Sequence, residues 1–170
     1  MKNVLAVLLL VSALAVAAAE PELCKTQSGP YYFLSSWKEG NSTVTSMAVV
    51  EDDKLSTEQG DVVYTGDLNG DGRDDFIFNS YSSHGSAGDT THSVYVQCRG
   101  YLKSAGGEYF ARAEVPPEDP QFKSEYREIV FYSYKRGASA QILYKNNEAL
   151  VTPHIWNFNP ETQQYEGESE

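Results

Sequence analysis

The stretch Asp67-Leu68-Asn69-Gly70-Asp71-Gly72-Arg73-Asp74-Asp75-Phe76-Ile77-Phe78 decides how the rest of this chain is interpreted. Oxygen-bearing side chains recur along it, at Asp67, Asn69, Asp71 and Asp75. Two glycines lie between them, where a tightly wound loop needs a positive φ or space for its backbone. Calcium prefers six to eight oxygen ligands from carboxylates, amides, carbonyls and water. The stretch therefore predicts a calcium-binding loop at 67–75.

Ordinary turns use the same residue types, so a solvated turn is the alternative interpretation. A D-G or N-G dipeptide before an apolar run is a common hairpin signal. Such a turn needs only a few residues, whereas acids here occupy the first, fifth and ninth positions of a longer stretch. Several carboxylates in one loop also repel each other unless a cation is present. We therefore favour a metal loop.

The sequence around the loop separates it from an EF-hand. An EF-hand needs a bidentate acid at its twelfth position and a helix on each side. Counting from Asp67, the twelfth residue is Phe78, which has no oxygen to offer. The flanks at 61–65 and 76–78 are rich in β-branched and aromatic residues, which favour strands. We expect the loop to join two strands, with Asp75 closing the site.

The run G-D-L-N-G-D-G-R-D-D-F-I-F at 66–78 resembles the strand-loop-strand calcium motif of FG-GAP and VCBS repeats. Those repeats occur in integrin-type propellers and in many secreted bacterial proteins. In that family the seventh loop residue provides its backbone carbonyl, so the resemblance implies a fifth ligand group at Arg73. The sequence has no second copy of the motif, and a propeller needs several blades. We therefore expect one compact module that contains a single such loop.

The first 19 residues have the pattern of a secretory signal peptide. Lys2 is the positive start, 4–16 is apolar, and three alanines precede Glu20. The apolar run is shorter than the ~20 residues of a membrane-spanning helix. We expect a secreted or periplasmic protein without membrane insertion, whose mature part, 20–170, is one domain.

The net charge limits the classes of binding partner, and the cysteine content predicts a covalent cross-link. The formal net charge of −11 disfavours nucleic acids and anionic membranes as partners. The chain has two cysteines, Cys24 and Cys98, and an even number outside the cytosol favours a disulfide between them. A metal site is the alternative, but the pair lacks the spacing of zinc ligands.

Short apolar and aromatic runs separated by turn residues predict an all-β fold. No stretch keeps a helical period, so we expect mainly antiparallel sheet with little helix, arranged as a sandwich or an open barrel-like fold. The aromatic residues supply the core. The residues that we expect to be buried are Phe76, Phe78, Phe131, Trp156 and Phe158.

No catalytic constellation is recognisable in the sequence. The segment Gly85-Ser86-Ala87-Gly88 misses the G-x-S-x-G pattern of serine hydrolases by one residue. Its surroundings predict a partner-binding loop instead, with Ser83, His84 and Ser86 as contact residues. The expected function is a non-catalytic module that binds a protein or glycan, such as an inhibitor or immunity-type protein. The alternative is a small secreted hydrolase with a structural calcium ion.

Overall fold

The computed structural model describes residues 20–26, 28–85, 88–117 and 126–168, without the side chains of Ser83 and His84. The predicted signal peptide at 1–19 and Ser86 lie outside the described residues. The described chain is almost entirely antiparallel sheet, so the predicted all-β class is confirmed. Its one α-helix is the single turn α1 (Glu22–Lys25).

The first six strands form a closed barrel in which each strand pairs with the next along the chain. They are β1 (Tyr31–Glu39), β2 (Ser42–Glu51), β3 (Lys54–Gly66), β4 (Asp75–His84), β5 (Thr90–Gln97) and β6 (Leu102–Phe110). The sequence favoured a sandwich or an open barrel. The barrel is closed because β6 returns to β1, where Tyr32 pairs with Leu102.

A tight hairpin joins β2 to β3. Asp52 and Asp53 both have left-handed backbone angles, with φ of 48° and 60°. Two such residues in succession form the turn whose twist matches that of antiparallel strands. Glu51 and Lys54 form the last pair before the turn. The acidic residues at this tip are therefore exposed turn residues.

The rest of the chain adds a second sheet against the barrel. The strands in this part of the chain are β7 (Arg112–Glu114), β8 (Ile129–Tyr134), β9 (Tyr144–Lys145), β10 (Glu148–Ala149), β11 (Val151–Asn159) and β12 (Gln164–Glu166). Four of these strands form a sheet in the order β12-β11-β8-β7, while β9 and β10 form a small hairpin of their own. All pairings in this part are antiparallel.

Two apolar clusters lie on opposite faces of the barrel wall. Side chains from β2, β4, β5 and β6 meet inside the barrel, and they are Met47, Phe78, Tyr95 and Leu102. Because successive strand residues point to opposite faces, Ile77 and Val94 point outward. They pack there with Phe131 and Trp156 of the second sheet. The larger core is therefore the interface between the barrel and that sheet.

The predicted core residues are buried to different degrees. Phe78, Phe131 and Trp156 are buried, as predicted. Phe76 and Phe158 are only half-buried, although both pack against the core clusters. Phe158 instead stacks on Tyr126, with 3.8 Å between ring centroids.

Gly106 and Gly107 lie within β6, although paired glycines often mark a turn or loop. A Cβ atom on Gly107 would lie 2.6 Å from the carbonyl oxygen of His92 on the neighbouring strand. Gly106 has a φ of 114°, and a Cβ there would lie 2.9 Å from the carbonyl oxygen of Tyr165. The glycines therefore allow close backbone approach and not a turn.

The predicted disulfide between Cys24 and Cys98 is confirmed. Their Cα atoms are 5.5 Å apart, and both residues are buried. Next to the bridge, the hydroxyl of Tyr101 donates a 2.9 Å hydrogen bond to the carbonyl oxygen of Cys24. These contacts attach the N-terminal turn α1 to the end of β5.

Candidate functional site

The predicted metal loop connects two adjacent barrel strands. Gly66 at the end of β3 pairs with Asp75 at the start of β4, and residues 67–74 form the connection. The prediction that a strand lies on each side of the loop, which excluded an EF-hand, is therefore confirmed. A loop that begins and ends on one strand pair has its two ends held at a fixed separation by the ladder.

Asp67 is the centre around which the loop is wound. Its Oδ1 atom accepts hydrogen bonds from the backbone N–H groups of Asn69 (3.2 Å), Gly70 (2.7 Å) and Asp71 (3.2 Å). Its Oδ2 atom accepts a fourth from Gly72 at 2.8 Å. Both glycines have positive φ, at 74° and 78°, as the tight winding requires.

Asp71 pairs with the side chain of Arg73. The guanidinium of Arg73 donates to Asp71 Oδ2 from Nη2 at 2.6 Å and from Nε at 3.0 Å. The backbone N–H of Arg73 also donates to Asp71 Oδ1 at 2.9 Å. The resemblance implied only a carbonyl ligand at Arg73, yet its side chain provides a positive charge inside the loop.

Asn69 is almost completely buried beside these acids, with 6% of its surface exposed. Its Oδ1 accepts from the backbone N–H of Asp71 at 3.1 Å. Its Nδ2 atom has no hydrogen-bond partner among the described residues. The amide oxygen of Asn69 therefore faces the backbone of the loop.

Asp75 is fully buried and joins the loop to the barrel wall. Its Oδ2 accepts from the backbone N–H of Leu68, and its Oδ1 accepts from that of Gln97, both at 2.9 Å. Burial raises the pKa of Asp75 to about 7, and the charges of Asp71 and Asp67 add to this effect. The two backbone hydrogen bonds oppose the rise. The charges of Asp71 and Asp67 therefore disfavour the ionised form of Asp75.

Leu68 attaches the loop to the second sheet. Its side chain is fully buried in the larger core. Its carbonyl oxygen accepts from the backbone N–H of Arg127 at 2.8 Å and from the hydroxyl of Tyr165 at 3.3 Å. The base of the loop is therefore held by both layers of the fold.

The predicted ligand residues lie in one loop, and their chemistry fits a hard cation because every donor is oxygen. Among the described residues, however, no group of three or more His, Cys, Asp or Glu side chains is arranged to hold a metal ion. Asp67 and Asp75 are occupied by backbone N–H groups, and Asp71 is occupied by Arg73. An incoming cation would have to compete with that guanidinium.

A serine-histidine pair that the sequence did not reveal lies in the second sheet. Ser133 Oγ on β8 is 3.0 Å from His154 Nε2 on β11. The strand register brings them together, because Ser133 pairs with Thr152, two residues before His154. Ser133 also lines a cavity of about 380 Å³ between this sheet and the barrel. Residues 21 positions apart with no motif around them give no signal in the sequence.

The predicted partner-binding loop follows β4. His84 pairs with Thr90 of β5 at the base of that loop. The side chains of Ser83 and His84, and all of Ser86, lie outside the description. Their role as contact residues stays a prediction.

Comparison with known proteins assigns no function to this chain. The chain matches no protein-family model, and neither the curated proteins nor the solved structures contain a match. The resemblance of the loop to FG-GAP and VCBS repeats therefore stays a prediction. Within the described ranges, no helix is long and apolar enough to cross a membrane.

Proposed function

We propose that this chain is a secreted or periplasmic, non-catalytic binding module whose loop 67–75 takes up one calcium ion. The observation that carries the proposal is the winding of this loop around Asp67, with Asp71 and buried Asp75 close by. The disulfide and the signal-peptide pattern at 1–19 support an extracytoplasmic location.

The residues that would hold calcium are those of the predicted ligand pattern. They are the side chains of Asp67, Asn69, Asp71 and Asp75 and the carbonyl of Arg73. The ion would supply positive charge beside Asp75, whose pKa is raised by burial and further by the charges of Asp71 and Asp67. Its role would be structural, because the loop fixes β3 to β4 and contacts the second sheet through Leu68.

Exposed apolar side chains on β1 and β3 support a role in binding a macromolecule. Phe33 and Trp37 lie on one face of β1, and they are 41% and 45% exposed. Leu55 on β3 is 69% exposed. Exposed apolar side chains mark an interaction surface where they form one contiguous patch. The partner would be a protein or a glycan and not a nucleic acid, because the chain carries a net charge of −11.

Thermal unfolding with and without calcium tests the metal part of the proposal. A ligand that binds only the native state raises stability with its concentration, and extracellular modules bind calcium at about 10⁻⁴ to 10⁻³ M. We expect the Tm to rise with millimolar calcium and to fall again with EDTA. Asp71→Ala should abolish the rise, whereas Asp53→Ala, at an exposed turn, should keep it. A wild-type Tm that does not change with calcium would contradict calcium binding by the loop.

A small hydrolase is the second candidate function, and the Ser133–His154 pair favours it. In such an enzyme His154 would take the proton of the Ser133 hydroxyl as it attacks a carbonyl carbon. The hydrogen bond that His154 makes through Nε2 is to Ser133, and none of the carboxylates in the described part of the chain is hydrogen-bonded to its ring. Purified protein should be assayed against esters, glycans and peptidoglycan. Turnover that Ser133→Ala abolishes would establish the hydrolase and overturn the non-catalytic module.

A further inference from the structure

Asn69 in the loop 67–75 is followed by Gly70, and this is the one Asn-Gly pair in the sequence. Asparagine is a chemically labile residue. It is most labile before glycine, because glycine has no Cβ atom to shield its backbone nitrogen from the neighbouring amide carbon. The loop therefore contains a site that can react without an enzyme, provided that its two reacting atoms can meet.

The reaction is deamidation by intramolecular attack. The backbone nitrogen of Gly70 loses its proton and bonds to Cγ of Asn69, the Cγ–Nδ2 bond breaks, and Nδ2 takes up a proton and leaves as ammonia. Water then opens the resulting cyclic imide at one of its two carbonyl carbons. One water is consumed and one ammonia is released. The product at position 69 is aspartate or its isomer, in which the main chain runs through the side-chain carbon.

The wound loop withholds the attacking nitrogen. The backbone N–H of Gly70 donates a 2.7 Å hydrogen bond to Oδ1 of Asp67, the shortest of the four bonds that this carboxylate accepts from the loop backbone. The negative charge of the carboxylate also disfavours the amide anion that the attack requires. The nitrogen of Gly70 therefore stays protonated and fixed while the loop is wound.

The amide of Asn69 is withheld as well. Its Oδ1 accepts from the backbone N–H of Asp71 at 3.1 Å, which fixes the side chain. Only 6% of the residue is exposed, and Nδ2 is buried without a hydrogen-bond partner in the described part of the chain. Water cannot reach Nδ2 to protonate the departing ammonia. The reaction therefore needs the loop to open.

We propose that Asn69 is a site of spontaneous deamidation whose rate is set by opening of the loop 67–75. Local opening has its own equilibrium, so the rate follows the population of the open loop. One part of the inference rests on the proposed function: calcium that binds only the wound loop lowers that population by a factor of 1 + [Ca²⁺]/Kd, about tenfold at ten times the Kd. The product adds a carboxylate to the predicted ligand set, so the reaction changes the charge of the loop.

Peptide mapping by mass spectrometry on the full chain tests the site, after incubation at mildly alkaline pH. The mass gain from amide to acid reports deamidation, and rearrangement at Asp71-Gly72 leaves the mass unchanged. We expect Asn69 to convert at least tenfold faster in guanidinium chloride than in the native protein with EDTA, and more slowly again with calcium. Asn41, exposed in the turn between β1 and β2, is the internal control, and its rate should not change with calcium.

Two variants separate loop opening from general instability. Asp67→Ala removes the acceptor of the Gly70 N–H and should speed conversion at least tenfold in EDTA. Asp74→Ala removes an exposed acid of the same loop and should leave the rate unchanged. Circular dichroism shows whether both variants keep the fold, and the comparison of native with unfolded wild type does not depend on them.

The outcomes distinguish this inference from the proposed function. Faster conversion in the unfolded chain and slower conversion with calcium support the site. Equal rates in native and unfolded protein, or no conversion of the unfolded chain, overturn it. A Tm that rises with calcium beside a rate of conversion that does not fall also overturns it but leaves the calcium loop intact. Protection by the fold, with neither Tm nor rate responding to calcium, supports gating by loop opening and contradicts calcium binding.

Discussion

Asp75 Oδ2 accepts a hydrogen bond from the backbone N–H of Leu68 across 2.9 Å, so the ninth residue of the loop holds its second. The other oxygen of Asp75 accepts from the backbone N–H of Gln97 on β5. One buried carboxylate therefore joins the loop, β4 and β5. This contact is made by protein groups alone, so the base of the loop has an anchor of its own beside any bound ion.

Asp75→Ala should lower the free energy of unfolding. The substitution leaves two backbone N–H groups without their acceptor, and each buried unsatisfied group costs roughly 1–3 kcal/mol. We expect a loss of about 2 kcal/mol or more in urea denaturation at pH 7 with EDTA. Asp74→Ala, which removes an exposed acid one residue away, is the matched control. Equal losses in the two variants would contradict a structural role for Asp75.

Without calcium, the contribution of Asp75 should fall as pH rises. Burial raises its pKa from 3.8 to about 7, so the native state keeps a proton that the unfolded chain has released. The stabilisation is fully present below about pH 4 and is lost as pH rises through 7. In EDTA, the Tm of the wild type should therefore drop more between pH 5 and pH 8 than that of Asp75→Asn. Parallel profiles of Tm against pH for the two proteins would contradict a contribution from the titration of Asp75.

Arg73→Ala should strengthen calcium binding. The substitution removes the guanidinium that occupies Asp71 Oδ2 at 2.6 Å but keeps the backbone carbonyl at position 73. A cation then no longer competes with a charge that is already in the loop. We expect a severalfold lower Kd for calcium by calorimetry. Arg99→Ala removes the same charge from an exposed position outside the loop and should leave the Kd unchanged. Weaker binding by Arg73→Ala would show that Arg73 supports the site.

Replacing both Cys24 and Cys98 by alanine should destabilise the fold. The bridge closes a loop with a sequence separation of 74 residues. In the chain-entropy model a loop of this length contributes about 4 kcal/mol. Chemical denaturation of the double variant, beside the oxidised wild type, measures the loss. A reduced wild type should behave as the double variant does, and a loss well under 1 kcal/mol would contradict the entropic argument.

Gly60→Ala should disrupt the barrel. A Cβ atom there would lie 2.1 Å from the carbonyl oxygen of Asn79 and 2.5 Å from the ring of Phe78, which fills the barrel interior. Overpacking of this kind costs about 1–3 kcal/mol or more. Gly100→Ala is the control, because its Cβ would meet nothing within 4 Å and only its φ of 88° opposes the change. Circular dichroism and thermal melting should show a much larger loss for Gly60→Ala.

Local spacing in the sequence determined several features of this protein. The alternation of acids and glycines at 67–75 predicted a wound loop, and the apolar flanks predicted its two strands. Two cysteines predicted one disulfide. Such features depend on residues that are close together in the chain or on an even number of cysteines, so they can be predicted from a single sequence.

Only the tertiary structure decided which distant residues meet. The barrel closes where β6 meets β1 at Tyr32 and Leu102, and Gly106 and Gly107 allow other backbones to approach β6 closely. Ser133 on β8 and His154 on β11 are 21 residues apart, and no local pattern links them. Strand register brings such residues together, and a shift of one position would turn their side chains to the opposite face. Register is set by packing of the whole sheet, which is why the loop was visible in the sequence and the cavity was not.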